Sequence, residues 1–195
     1  MSILVTGGCG YIGSVTVDVL HASGQGVAVI DNLARGHREA LSSDVPFYEG
    51  DVGDTELVAR VVADHAIDSC IHFAAFTYVG ESVECPQIYY ENNLGQGVAL
   101  LQALLDEGVG RLIFSSSCSV YGDPEHAPLS ESNPSRPISP YGWSKLLLEE
   151  VIERQPAEVQ QLEVSEAAEV AERGYYGALY TCSGSAFSAR GLPGQ

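Results

Sequence analysis

The stretch Ile3-Leu4-Val5-Thr6-Gly7-Gly8-Cys9-Gly10-Tyr11-Ile12-Gly13 sets the reading of the whole chain. Ile3, Leu4 and Val5 form a short apolar run of the kind that makes a buried strand. Four glycines then crowd into seven residues, which is the composition of a tight turn. Beyond the turn Ile12, Val15, Val19 and Ala22 recur at three- or four-residue spacing, one face of a helix. Gly24 and Gly26 end that helix, and Val27-Ala28-Val29-Ile30 reads as a second buried strand.

The same alternation continues outward. Val45 to Tyr48 is a third strand, ending at Gly50-Asp51. Asp54 can cap a helix carrying Leu57, Val61 and Val62. Cys70-Ile71-His72-Phe73 is a fourth strand. A long helical stretch follows Pro86, with Leu100, Leu101, Leu104 and Leu105 near its end and Gly108 after it. Leu112-Ile113-Phe114 is a fifth strand. A proline-rich loop over 123–140 leads to a helix expected from Pro140 to about Glu153. Residues 157–173 read as a weakly amphipathic helix, Tyr175 to Thr181 as a sixth strand, and the end as a frayed tail.

Continuous apolar strands separated by helices imply a parallel sheet covered on both faces. The order is β-α-β repeated, so the expected class is α/β, a doubly wound Rossmann-type sheet. Ligands in such folds sit at the carboxyl ends of the strands. Here the polar and glycine-rich positions fall at those ends: Gly7–Gly13, Asp31-Asn32, Asp51, Ala74-Ala75 and Ser115–Ser117.

Composition narrows the function. The 195 residues carry 26 Asp+Glu against 9 Lys+Arg, a net charge of −17. That argues against nucleic-acid binding, which needs cations to neutralise phosphates, and against a polybasic membrane surface. Acidity with a single lysine can also reflect life in high salt. No apolar run reaches membrane-span length, and the start shows no signal-peptide pattern, so a cytoplasmic protein is expected. Five scattered cysteines fit neither a disulfide framework nor a metal site.

Gly8-x-Gly10-x-x-Gly13 is a dinucleotide fingerprint in the required context, after a strand and before a helix. Asp31 ends the next strand. A carboxylate there accepts hydrogen bonds from the adenosine ribose and repels a 2′-phosphate, favouring NAD over NADP. Arg35 and Arg38 nearby point mildly the other way.

Tyr141-Gly142-Trp143-Ser144-Lys145 stands at a helix start, and its tyrosine and lysine share a face. Phenol alone is a weak base at neutral pH, but a neighbouring ammonium and a cationic nicotinamide both favour phenolate. Such a pair can take a hydroxyl proton as hydride leaves the same carbon. A hydroxyl from Ser115-Ser116-Ser117 can bind the substrate oxygen or relay its proton. His72, Tyr121 and Trp143 read as packing. Asp51 either bonds adenine or turns the chain.

Together these residues resemble the extended short-chain dehydrogenase/reductase superfamily, and within it the sugar-nucleotide epimerases of the UDP-glucose/UDP-galactose type. The similarity runs from residue 1 to about 152. It includes Asp31-Asn32-Leu33, Gly50-Asp51-Val52, His72-Phe73-Ala74-Ala75, Val79-Gly80-Glu81-Ser82, Tyr89-Tyr90-Glu91-Asn92-Asn93, Val120-Tyr121-Gly122 and Ser139–Lys145. The resemblance implies NAD as cofactor and a UDP-sugar as substrate. Gly7, Gly10, Tyr11, Ile12 and Gly13 would meet the pyrophosphate, Asp31 and Asn32 the adenosine ribose, and Asp51 and Val52 would border adenine. Phe73, Ala74, Ala75 and Asn92 would line the cofactor, with Ser117, Tyr141 and Lys145 the catalytic set; Ser117 and Tyr141 also touch substrate. A homodimer paired through helices is part of the same expectation. Related dehydratases carry an Asp-Glu pair where this chain has Cys118-Ser119, which argues against water elimination. Thr77 stands where some epimerases have lysine. Residues 153–195 match nothing expected there, so the expectation is an NAD-binding domain over 1–152, a divergent segment over 153–195, and a largely missing C-terminal substrate domain.

Overall fold

The computed structural model describes residues 2–123, 128–155 and 179–181. The first strand, β1 (Ser2–Thr6), leads through the glycine turn into α1 (Tyr11–Ala22). β2 (Gly26–Asp31), β3 (Phe47–Glu49), α2 (Thr55–His65) and β4 (Ser69–His72) follow. Two short helices come next, α3 (Val79–Glu84) and α4 (Pro86–Tyr89). A wide π-type turn, Tyr90–Gly95, joins α4 to α5 (Gln96–Asp106). Then come β5 (Leu112–Ser115), a 3₁₀ turn at Cys118–Tyr121, and α6 (Pro140–Glu153). A last strand, β6 (Leu179–Thr181), completes the sheet.

The sheet order is β3-β2-β1-β4-β5-β6. The first five strands are parallel, and β6 lies antiparallel against β5. Order reverses between β1 and β4, so the carboxyl ends of those two strands open the crevice in which doubly wound sheets bind ligands. The expected sixth strand is present at Leu179–Thr181. The helix expected over 157–173 lies outside the described residues.

Alternation along each strand splits the core in two. Leu4, Ala28, Ile30, Cys70, Leu112 and Phe114 face α2, α5 and α6, where Val58, Val61, Leu100, Leu104 and Leu148 bury against them. On the other face Val5, Val29 and Ile71 meet Val17 of α1 and the loop residues Leu41 and Val45. Asp54 caps α2 as expected, its side chain accepting from the Leu57 N–H at 3.0 Å.

Three expectations needed correction. Val45 and Pro46 stand before β3, not within it; the edge pairing with β2 begins only at Phe47. The helical stretch after Pro86 is broken by the π turn, and α3 lies before it. The helix after the glycine turn is real, but Ile12, Val15 and Val19 face solvent at 43, 54 and 64% exposure. The contact face is Gly13 and Val17, with Leu20 half-buried. The helix seats so closely on the turn that a Cβ at Gly13 would lie 2.2 Å from the Gly7 carbonyl. Close approach, not apolar periodicity, chose its inner face.

Among the described residues no helix is long and apolar enough to cross a membrane, and no group of His, Cys, Asp and Glu is arranged to hold a metal.

Candidate active site

Two connected clefts run along the carboxyl ends of the strands and share Gly7, Gly10, Arg35, Phe73 and Ala75. One end is a narrow slot lined by Asp31, Asn32, Val52, Ala74, Asn92 and Gln96. The other is a wider chamber lined by Tyr11, Ile12, Gly13, Ser117, Tyr141 and Lys145. Of the residues expected from sequence, only Asp51 stands apart from both. Its carboxylate instead accepts from the Asn32 side-chain amide at 2.7 Å, holding Asn32 at the slot.

The glycine turn explains its own composition. Gly7 has φ +72° and packs so tightly on the strand end of β4 that a Cβ would lie 2.5 Å from the Ala74 nitrogen. Gly10 is different: the nearest atom to its hypothetical Cβ is 3.3 Å away, and it lines both clefts. α1 begins at Gly10 with no side-chain cap and no acid in its first turn. Its first N–H groups are therefore open to an anion at the helix N-terminus.

Asp31 is no solvated loop acid. It is 7% exposed, and its two oxygens accept from the Cys9 N–H at 2.9 Å and the Leu33 N–H at 2.8 Å. It ties the end of β2 to the glycine turn, and each carboxylate oxygen retains a lone pair for a ribose hydroxyl. Both nearby arginines already have protein partners, although Arg35 still lines both clefts. Arg38 donates to the Leu41 carbonyl and lies over Phe47. Arg35 donates to Glu81 at 2.6 Å and lies over the rings of Phe76 and Tyr78. In the sequence Glu81 and Tyr89 stand only within segments that carry the resemblance, and nothing there pairs them with Arg35; the Tyr89 hydroxyl donates to the same Glu81 oxygen at 2.6 Å. An Arg-Glu pair so distant in sequence carries no local signature.

The chamber is assembled by α6. Ser139 caps it, accepting from the Gly142 N–H at 3.1 Å, and Pro140 fits its first position. That places Tyr141 in the first turn, 7% exposed, with its ring edge-on to Tyr89. From the other side Asn93, in the π turn, clamps the Phe76 backbone at both N–H and C=O and donates to Ser144 of α6. π-type turns recur at functional sites for this reason: they re-aim side chains within a helix.

Ser117 hydrogen-bonds the Tyr141 phenol. Its oxygen also accepts from the Ser119 N–H and keeps a second lone pair, and its O–H given to the phenol oxygen favours the phenolate. Burial raises the Tyr141 phenol above its ordinary value, and the Ser117 hydrogen bond opposes that rise. Lys145 is buried, and desolvation pulls its ammonium down to about 7, against which the Glu149 charge works. Its Nζ donates to the Ser115 carbonyl at 2.8 Å and sits 4.8 Å above the Phe114 ring. Tyr141 and Lys145 thus reach the same chamber, each anchored on a different serine of the strand end. His72 is packing, as expected: it bonds Thr6, stacks on Phe114, and burial drives it down to about 3, hence neutral. Trp143, read as packing, is 43% exposed.

A sheet of this order, with a glycine turn at one strand end and a tyrosine–lysine helix at another, has the architecture of the extended short-chain dehydrogenases/reductases. Within that class the chain belongs to the NAD dependent epimerase/dehydratase family, whose model matches residues 3–164. It is 49% identical over 151 residues to a UDP-glucose 4-epimerase of Halalkalibacterium halodurans, covering 77% of this chain and 45% of that one. A UDP-glucose 4-epimerase of Brucella ovis, solved in complex with NAD, superimposes with a TM-score of 0.75 at 42% identity, over 78% of this chain and 46% of that one. A UDP-glucose-4-epimerase from Stenotrophomonas maltophila, solved with NAD and formylated UDP-arabinopyranose, gives 0.79 at 35% identity, over 87% and 55%. The chain spans about half the length of the curated relatives it matches.

Proposed function

We propose that residues 1–152 form the NAD-binding and catalytic domain of a 4-epimerase interconverting UDP-glucose and UDP-galactose. The observation that carries this reading is convergence: the open N-terminus of α1, Asp31, Ser117, Tyr141 and Lys145 line one crevice. The names of its relatives support the substrate.

The residues fit the cofactor. Gly7, Gly10 and Gly13, with the backbone at Tyr11 and Ile12, would hold the pyrophosphate against the helix N-terminus. Asp31 and Asn32 would hold the adenosine ribose, with Val52 beside adenine. Phe73, Ala74, Ala75 and Asn92 would wall the remainder. When bound, NAD supplies a reversible hydride acceptor. Tyr141 takes the proton of the sugar 4-hydroxyl, with Ser117 bonding the same oxygen, and returns it after the 4-keto sugar has turned over. Lys145 favours the phenolate electrostatically. Cys118 and Ser119 supply no acid for water elimination, which separates this reading from dehydration.

The same reading places the protein in the cytoplasm as a homodimer. Val98 on α5 with Trp143 and Leu147 on α6 leave exposed apolar side chains that suit helix-to-helix pairing. Sedimentation at equilibrium tests it, and a monomer at micromolar concentration rejects the dimer.

The function is tested by supplying NAD and UDP-galactose and following UDP-glucose formation. Conversion lost in Tyr141→Phe is expected. A folded protein that gives no growth of reduced-cofactor fluorescence on adding UDP-galactose, and no conversion, would instead favour a dinucleotide-binding module. A second substrate reading, another UDP-sugar, is favoured by the pentose nucleotide in the Stenotrophomonas structure. It predicts faster turnover of a UDP-pentose than of UDP-galactose.

A further inference from the structure

One buried charge has no part in the reaction just described. Glu149 is 6% exposed, one helical turn beyond Lys145 on α6. A carboxylate buried without compensation is strongly disfavoured, so its surroundings carry information. Ser116, itself 3% exposed, donates its hydroxyl to the Glu149 carboxylate. The neighbouring Ser115 gives its carbonyl to the Lys145 ammonium. Consecutive residues at the end of β5 therefore receive consecutive turns of α6, one taking the cation and the other the anion.

We propose that Glu149 is a positioning residue: its carboxylate, fixed by Ser116, is the counter-ion that holds Lys145 as an ammonium in the chamber below Tyr141. The reason is electrostatic. Lys145 is 3% exposed, and that burial disfavours the charged amine, although the face of Phe114 and the Ser115 carbonyl both attract an ammonium. Among the described residues the titratable groups around it are few. His72 on β4 is held neutral by burial and cannot repel the ammonium. Tyr141 lies on the same helix, with Cys118 beside it in the 3₁₀ turn. Glu149 is the group whose charge opposes deprotonation of Lys145. Without it the lysine would be neutral at the pH where the phenolate needs a cation. The Ser116 bond matters because it fixes the carboxylate at the residue next to the one whose carbonyl takes the Lys145 ammonium.

The inference rests on the reading of Tyr141 and Lys145 as the reacting pair, but its test does not use turnover. Lys145 is the only lysine of the chain, so protein labelled with carbon-13 lysine gives a single side-chain ε-carbon signal whose shift follows its protonation. Titrated in the wild type, that signal is expected to have its midpoint near neutrality. In Glu149→Gln, which keeps the shape and an acceptor for Ser116 but removes the charge, the midpoint is expected to fall by roughly one pH unit or more. Glu149→Asp, which keeps the charge at shorter reach, is expected to fall by less and serves where the glutamine variant does not fold. An unchanged midpoint in the folded variant overturns the proposal. A shifted midpoint in a protein that converts no UDP-sugar would leave Glu149 as the lysine's counter-ion and overturn only the epimerase reading.

Discussion

The two ends of the crevice solve different problems with different materials. At the nucleotide end the working groups are backbone: N–H groups at the start of α1, held by a glycine turn and one buried carboxylate. At the catalytic end they are side chains, Ser117, Tyr141 and Lys145, all of them buried. A backbone site depends on close approach and fails through sterics. A buried side-chain site depends on paired charges and fails through electrostatics while the fold stands. The sharpest test of that contrast is Tyr141→Phe. The ring and its edge contact with Tyr89 remain, so folding and NAD binding should be unchanged. Epimerisation should drop by about 10²–10⁴-fold, the usual worth of a positioned acid–base group. A comparable loss of NAD affinity would mean that the two ends are not separable.

The reverse experiment is Gly13→Ala. The added methyl would sit 2.2 Å from the Gly7 carbonyl, and backbone atoms cannot step aside as side chains do. We expect a loss of about 1–3 kcal/mol of stability, the range for overpacking, with NAD affinity falling in parallel. Thermal melts with and without NAD measure both. Asp31→Asn should follow, at roughly 2 kcal/mol, because an amide presents an N–H to one of the two N–H donors it now accepts from. Its discrimination against NADP should also weaken, since the repelling charge is gone; binding titrations of both dinucleotides read this directly.

How much was legible in the sequence follows the same division. The nucleotide end lies within short stretches, so Gly7–Gly13 and Asp31 announced themselves by local pattern, as did Tyr141 and Lys145 on one helix. Glu149 was visible in principle, one turn beyond Lys145, but its meaning depends on Ser116, on a different element. The Arg35–Glu81–Tyr89 cluster and the Asn93 clamp join distant segments and leave no periodic trace. Periodicity located α1 but chose the wrong face, because Gly13, the smallest residue, makes the closest contact. Asp51 reads as either bonding adenine or turning the chain, and what the structure adds is its bond from the distant Asn32 amide.

The smallest effect expected is also the one that best isolates position from stability. Ser139 and Asp54 are both N-caps, each accepting from a first-turn N–H, at the starts of α6 and α2. Replacing either by alanine should cost about 1 kcal/mol, because the same kind of orphan donor is released. The consequences for the crevice should differ. α2 packs behind the sheet and contributes nothing to either cleft, so Asp54→Ala should lower the melting temperature and leave kcat alone. α6 carries Tyr141 in its first turn, where fraying moves the phenol away from Ser117. Ser139→Ala should therefore lower kcat several-fold at a temperature where both variants are fully folded. Equal kcat values in the two variants would show that the first turn of α6 is held by Asn93 and the packing of Leu148, and that its cap only stabilises.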